Sequence, residues 1–270
     1  MKELRYSILI LCAVILLLML RLPLEKALDN YFLQHRHNEL ISGLLIRASI
    51  VIGLCYFMYT RKFFQFAGLS PTFTVNSLWL VLSPLCIIGL IAYANIDTFR
   101  QASYSLLLLF GLNAFFTGAL EELTLRGMVL SLLLKHYSRM KNPFFKAIFL
   151  SSFLFGIAHF IGLIKHPDNI EGITKQVILA IGIGFYLAAL FFRTKNIIVP
   201  IVIHFLINLA GGVYKLKEQE DTEILTSDSS GLISYVPITV ISLILIALGI
   251  RMLKRVDKLE WLKKLDLIKV

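Results

Sequence analysis

Six polar side chains define the chemistry open to this chain, because each interrupts an apolar run. Glu121 and Glu122 are followed by Arg126, His159 follows Phe155 by four residues, and His204 precedes Asn208 by four. On a helix turning about 100° per residue, Glu122 and Arg126 lie about 40° apart, and Glu121 and Arg126 about 140° apart. Arg126 can therefore neutralise Glu122 while Glu121 points elsewhere. Glu121 shares its own face with Asn113 and Thr117, spaced by four, and with Thr124. Such a polar stripe suits a water-accessible cavity. A carboxylate, two imidazoles and a carboxamide are the groups that take a proton from water and donate to a developing oxyanion. They are also metal donors. The HExxH arrangement is absent, so a metal would draw its ligands from separate helices.

The elements that must carry these residues are membrane spans. Hydrophobic residues make up 57% of the 270 and charged residues 16%, with a mean hydropathy of +0.78. Soluble chains hold about 45–50% apolar and about 25% charged residues, so the excess faces lipid. This excludes a secreted module, a disordered tail and a nucleic-acid-binding domain, despite a net charge of +10. Eight stretches have roughly the 20 apolar residues that a span needs: Ser7–Leu24, Leu40–Thr60, Ser77–Asn95, Ser103–Leu134, Phe144–Ile164, Gln176–Phe192, Ile197–Val213 and Leu232–Met252. The first lacks a small-residue cleavage site and reads as a helix, not a signal peptide. The fourth would be about 48 Å long as a helix, against a hydrocarbon core of about 30 Å. It must tilt, break or protrude, and Gly111, Gly118 and Gly127 offer places to bend. Cys12, Cys55 and Cys86 stand singly in apolar runs and form no disulfide framework.

Eight spans put both termini on one side. Seventeen Lys and Arg residues fall on that side and eight on the other, with Arg47 and Arg126 inside apolar stretches. The positive-inside rule makes both termini cytoplasmic and the acidic loop Glu218–Asp228 external. Residues 1–270 read as one membrane-embedded domain. Residues 251–270 form a basic tail whose Leu253, Val256, Leu259, Trp261, Leu262, Leu265 and Ile268 give the pattern of an interfacial amphipathic helix. Lys135, Lys146 and Lys195 mark one membrane border in three helices. Counted inward from them at 1.5 Å per residue, Glu121, His159 and Asn208 lie about 20 Å deep and His204 about 14 Å. Charges at such depth cost about 2.5–3.5 kcal/mol each on insertion scales, so each is a functional hypothesis.

Glu121-Glu122-x-x-x-Arg126, Phe155-x-x-x-His159 and His204-x-x-x-Asn208, in that order on successive helices, resemble the CPBP family of intramembrane proteases, also called Abi or CAAX-protease-like. The resemblance covers roughly residues 103–213. It implies an all-α fold of about eight helices whose cavity opens to the cytosol, and endopeptidase cleavage of membrane-associated proteins or peptides. The implied substrates are CAAX-type, bacteriocin or signal-peptide precursors. By position, Glu121 and His159 would activate water, His204 and Asn208 would stabilise the oxyanion, and Glu122, Arg126 and Phe155 would support the site. The family carries a metalloprotease label; if zinc binds, Glu121, His159 and His204 are the expected ligands, with water as the fourth. No organic cofactor is expected. The expected setting is a bacterial cell membrane, with the bilayer and a membrane-associated substrate as partners and no nucleic acid. A rival reading is a non-catalytic bacteriocin-immunity protein or sensor-kinase partner that keeps the motifs as structure. A transporter with a proton relay is a third, opposed by the absence of inverted halves.

Overall fold

The computed structural model describes residues 2–29, 35–68, 79–216 and 232–265. Among them every element is helical and none is a strand, since hydrocarbon offers a backbone no partner but itself. In chain order the α-helices are α1 (Lys2–Met19), α2 (Arg21–Asp29), α3 (His35–Thr60), α4 (Phe63–Ala67), α5 (Trp79–Ala94), α6 (Ile96–Gln101), α7 (Tyr104–Glu122), α8 (Leu130–Tyr137), α9 (Pro143–Ala158), α10 (Ile170–Thr194), α11 (Ile198–Gly212), α12 (Val236–Leu253) and α13 (Lys258–Leu265). Seven continuous helical stretches are long and apolar enough to cross a bilayer: 2–28, 37–60, 104–137, 143–164, 170–194, 198–216 and 233–253. The chain is a multi-pass integral membrane protein. The remaining expected span corresponds to α5, whose 16 residues reach about 24 Å; its expected start at Ser77 lies outside the described residues. So does the Glu218–Asp228 loop.

α10 is the axis of the bundle. It packs along α9 and α12, while α11 and α3 flank α7. The outward faces are apolar, with Leu16, Ile52, Tyr56, Leu90 and Leu243 all well exposed; in water this would be an aggregation surface, and here it is the lipid belt. Cys12 and Cys86 lie on that exposed surface and Cys55 is half-buried, all three as free thiols.

The long fourth stretch does not break at Gly111 or Gly118, through both of which α7 runs. Immediately after Glu122 it widens into a π-helical segment, Leu123–Val129, every residue of which is buried, and then continues as α8. π turns hold an extra residue per turn and occur often at functional sites. This one starts at the paired glutamates and contains Arg126.

The tail departs from the expected lipid-surface helix. Trp261 of α13 is fully buried, its ring centroid 4.9–5.1 Å from those of Phe66, Phe191 and Phe192. Its indole N–H donates to the Phe192 carbonyl at 3.0 Å. Glu260 pairs with Lys195, and Arg193 donates to the Arg255 carbonyl at 2.9 Å. Leu253, Val256, Trp261 and Leu265 of the stripe are thus buried against protein, while Leu259 stays exposed. The placement of Phe66 on α4 needs a glycine: Gly68 ends α4 at φ 67°, and a Cβ there would lie 1.9 Å from the Lys195 carbonyl oxygen. Residues 266–270 lie outside the described residues.

Candidate active site

Glu122, the last residue of α7, meets Arg126 one turn later: Arg126 Nη1 donates to Glu122 Oε1 at 2.7 Å. The pair is 0% and 1% exposed, so its attraction must offset a large desolvation penalty. Two contacts assist. Arg126 Nη2 donates to the Gly184 carbonyl on α10 at 2.9 Å, and the guanidinium lies 5.5 Å from the Phe155 ring centroid on α9. The ion pair therefore pins α7 and the π segment to α9 and α10.

Glu122 Oε1 is shared. His204 Nδ1, on α11, lies 2.7 Å from it. An ionised carboxylate only accepts hydrogen bonds, so Nδ1 carries the proton and Nε2 faces the other way. There Nε2 meets Glu121 Oε2 at 3.2 Å. One buried imidazole thus bridges two adjacent carboxylates: Glu122 is sealed and held by Arg126, while the Glu121 side chain is 27% exposed. The bridge depends on close helix packing. A Cβ on Gly118 would lie 3.1 Å from the Phe205 nitrogen and 3.5 Å from the His204 carbonyl carbon, so the glycine lets α7 approach the backbone of α11 one turn before Glu121.

His159 caps the C-terminus of α9 and opens a 3-10 turn, His159–Ile164. Its Nδ1 lies 2.9 Å from the Phe155 carbonyl oxygen, an acceptor, so Nδ1 donates and Nε2 is left for another partner. The Phe155 ring meets both histidines nearly at right angles, with centroids 4.8 Å from His159 and 5.9 Å from His204. Asn208 follows His204 by one turn of α11, and its amide Nδ2 is buried without a hydrogen-bond partner among the described residues. A buried donor left unmade costs about 1–3 kcal/mol, which a developing oxyanion would recover.

All these groups lie within one stretch, and residues 103–210 match the family model described as type II CAAX prenyl endopeptidase, Rce1-like. This stretch, less than half of the 270 residues, is therefore Rce1-like. No curated protein and no solved structure matches it. The Rce1-like region opens at Ser103, whose hydroxyl caps α7 by accepting from the Leu106 N–H, and closes two residues after Asn208. It therefore holds the polar stripe, the π segment, both histidines and the unpartnered amide. The family's activity is CAAX-type endopeptidase cleavage in the membrane.

The Rce1-like site does not gather the expected zinc ligands. Among the described residues no three His, Cys, Asp or Glu side chains converge as a metal requires. His204 directs both nitrogens to glutamates and His159 directs Nδ1 to a backbone carbonyl, so Glu121, His159 and His204 do not fit a three-ligand centre. His204 is also the histidine in contact with Glu121, whereas His159 reaches the cluster through Phe155. Two groups outside the expected set enter the site's surroundings. Gly184 supplies a carbonyl to Arg126, a role no side-chain pattern could announce. Arg47 on α3 donates to Asn113 Oδ1 at 2.9 Å, two turns along the stripe from Glu121; its signal was a lone cation inside an apolar run.

Proposed function

We propose that this chain is an intramembrane endopeptidase that cleaves membrane-associated proteins or peptides with water activated by Glu121. The observation that carries the reading is the Glu121–His204–Glu122–Arg126 chain, in which only the outermost carboxylate is open to a substrate. Arg126 holds Glu122 in place, and Glu122 orients His204. Water bound at Glu121, with His159 Nε2 as its second partner, loses a proton to the Glu121 carboxylate as its oxygen attacks the scissile carbonyl. The carbonyl oxygen becomes an oxyanion, and the buried Asn208 amide is the donor available to it, since His204 turns both nitrogens to glutamates. Collapse breaks the C–N bond, and the proton held by Glu121 passes to the leaving amine.

The test uses wild type and Glu121→Gln reconstituted in lipid vesicles with a fluorogenic S-farnesylated peptide, products being mapped by mass spectrometry. Wild type cleaves at one bond, and Glu121→Gln loses about 10²–10⁴-fold, the usual worth of a general base. Full activity in Glu121→Gln removes the mechanism. Equal inertness of both proteins favours the partner-binding reading instead.

A further inference from the structure

A second charged hollow lies at the basic border of the bundle, away from the glutamates. α1 and α13 both pack against α8. Where the three meet, a cavity of about 660 Å³ is lined by Glu3 of α1, Lys135 and His136 of α8, Arg139 of the turn that follows, and Leu262 and Leu265 of α13. That volume lies within the range of about 300–1,000 Å³ usual for ligand clefts. The turn is fixed by its own hydrogen bonds: the Ser138 hydroxyl donates to the Lys135 carbonyl at 2.8 Å, and the Met140 N–H to the Tyr137 carbonyl at 2.8 Å. It holds Arg139 beside Lys135 at the end of one helix. Neither cation forms an ion pair among the described residues. Glu3, the one carboxylate among the lining residues, is near enough to act on Lys135 and His136. Two permanent cations against one anion leave the hollow positive, and Lys2, Arg5 and Lys141 are exposed beside it along the chain.

A guanidinium and an ammonium with spare donors, converging on one cavity, are the groups that hold a phosphate. The place of the cavity decides which phosphate. Lys135 stands at the end of the 104–137 span, fourteen residues and about 20 Å of helix from Glu121, so the hollow belongs to the membrane border and not to the reacting groups. One turn after Glu3, α1 begins an exposed apolar face with Tyr6, Leu9, Leu16 and Leu20. A phosphate seated in the hollow thus has a hydrocarbon path leading from it into the bilayer, and Leu262 and Leu265 give the hollow an apolar wall of its own. A free phosphate would use neither. We infer that the cavity between α1, α8 and α13 binds the headgroup of one anionic phospholipid, its phosphodiester on Lys135 and Arg139 and its acyl chains along α1. A choline headgroup adds an ammonium that the surplus cations repel, whereas a glycerol headgroup adds hydroxyls only. Because α13 forms one wall, the bound lipid also ties the tail to the end of α8.

The test titrates the full chain in detergent with dioctanoyl phosphatidylglycerol, dioctanoyl phosphatidylcholine or glycerol 1-phosphate, and follows thermal unfolding by intrinsic fluorescence. Phosphatidylglycerol at ten times its Kd raises the Tm of wild type by about 3–5 °C, as a ligand of the folded state alone does, and the other two compounds leave it within about 1 °C. Lys135→Gln/Arg139→Gln loses that rise. Lys254→Gln/Lys258→Gln removes the same charge from exposed residues outside the cavity and keeps it. Arg139 is exposed, so Arg139→Glu alone leaves the fold standing and weakens the Kd for phosphatidylglycerol about tenfold or more. Equal rises with both lipids in wild type, a rise that persists in Lys135→Gln/Arg139→Gln, or an unchanged Kd in Arg139→Glu overturns the site. A rise with glycerol 1-phosphate equal to that with phosphatidylglycerol gives the cavity to a soluble phosphate and overturns the lipid.

Discussion

Adjacent glutamates given the same substitution should fail in opposite ways. Glu122 is fully buried, and one of its oxygens serves both Arg126 and His204 at 2.7 Å. Glu122→Gln retains an oxygen at that point and removes only the charge, leaving the Arg126 guanidinium, 1% exposed, with no anion in contact. Breaking a buried pair by removing one partner costs about 3–5 kcal/mol. Against a typical total of about 5–15 kcal/mol, that is enough to reduce the amount of inserted protein severalfold. Removing both charges in Glu122→Gln/Arg126→Met should return much of the stability, since an apolar side chain fits among Phe155 and Gly184, but not activity, because His204 has lost the carboxylate that orients it. Glu121→Gln should change stability by less than about 1 kcal/mol, as expected for a partly open group with no Arg or Lys in hydrogen-bond contact among the described residues, and abolish turnover. The assay is thermal unfolding in detergent, followed by intrinsic fluorescence, beside peptide turnover on the same samples. A Glu122→Gln protein as stable as wild type would refute the view that Arg126 is held by charge. A Glu121→Gln protein as unstable as Glu122→Gln would refute the division of roles.

Other outcomes follow from single contacts. Asn208→Ala should leave stability nearly unchanged, since the buried Nδ2 has no hydrogen-bond partner among the described residues, and lower kcat about 10²–10³-fold as an oxyanion donor is removed; an unaltered kcat in single-turnover measurements would discard that role. Trp261→Ala should cost about 3–5 kcal/mol as the ring and its bond to Phe192 are lost and expose the tail to protease near Lys258; a tail cleaved equally in wild type would contradict its docking. A cysteine at position 225, in a chain lacking the three native cysteines, should be labelled from outside intact cells, as the positive-inside rule predicts from the seventeen-to-eight bias of basic residues; labelling only after permeabilisation would invert the topology. Exhaustive chelation should leave turnover within about twofold, given that no three-ligand set converges. Loss of turnover that zinc alone restores would require the histidines to rearrange.

What the sequence determined about this protein is what depends on neighbours along the chain. Apolar runs of span length gave helices in seven of the eight expected places and, at the described part of the eighth, a shorter one, because a backbone in hydrocarbon has no other way to satisfy itself. The pairing of Glu122 with Arg126 and its separation from Glu121 were legible too, since four residues bring two side chains to one face whatever lies around them. The polar stripe through Asn113 and Thr117 was legible for the same reason. What only the tertiary structure decided is what depends on the distance between helices. Glu121 meets His204 and not His159 because Gly118 lets α7 close on α11, while Phe155 stands between the two imidazoles. Arg126 finds the Gly184 carbonyl, and Arg47 finds Asn113, across 58 and 66 residues of chain, separations over which no periodicity carries information. The amphipathic stripe of the tail was correctly visible as a stripe, but the same residues serve a lipid surface or a protein groove equally well; the choice fell to Phe66, Phe191 and Phe192, which three-dimensional packing alone brings beneath Trp261.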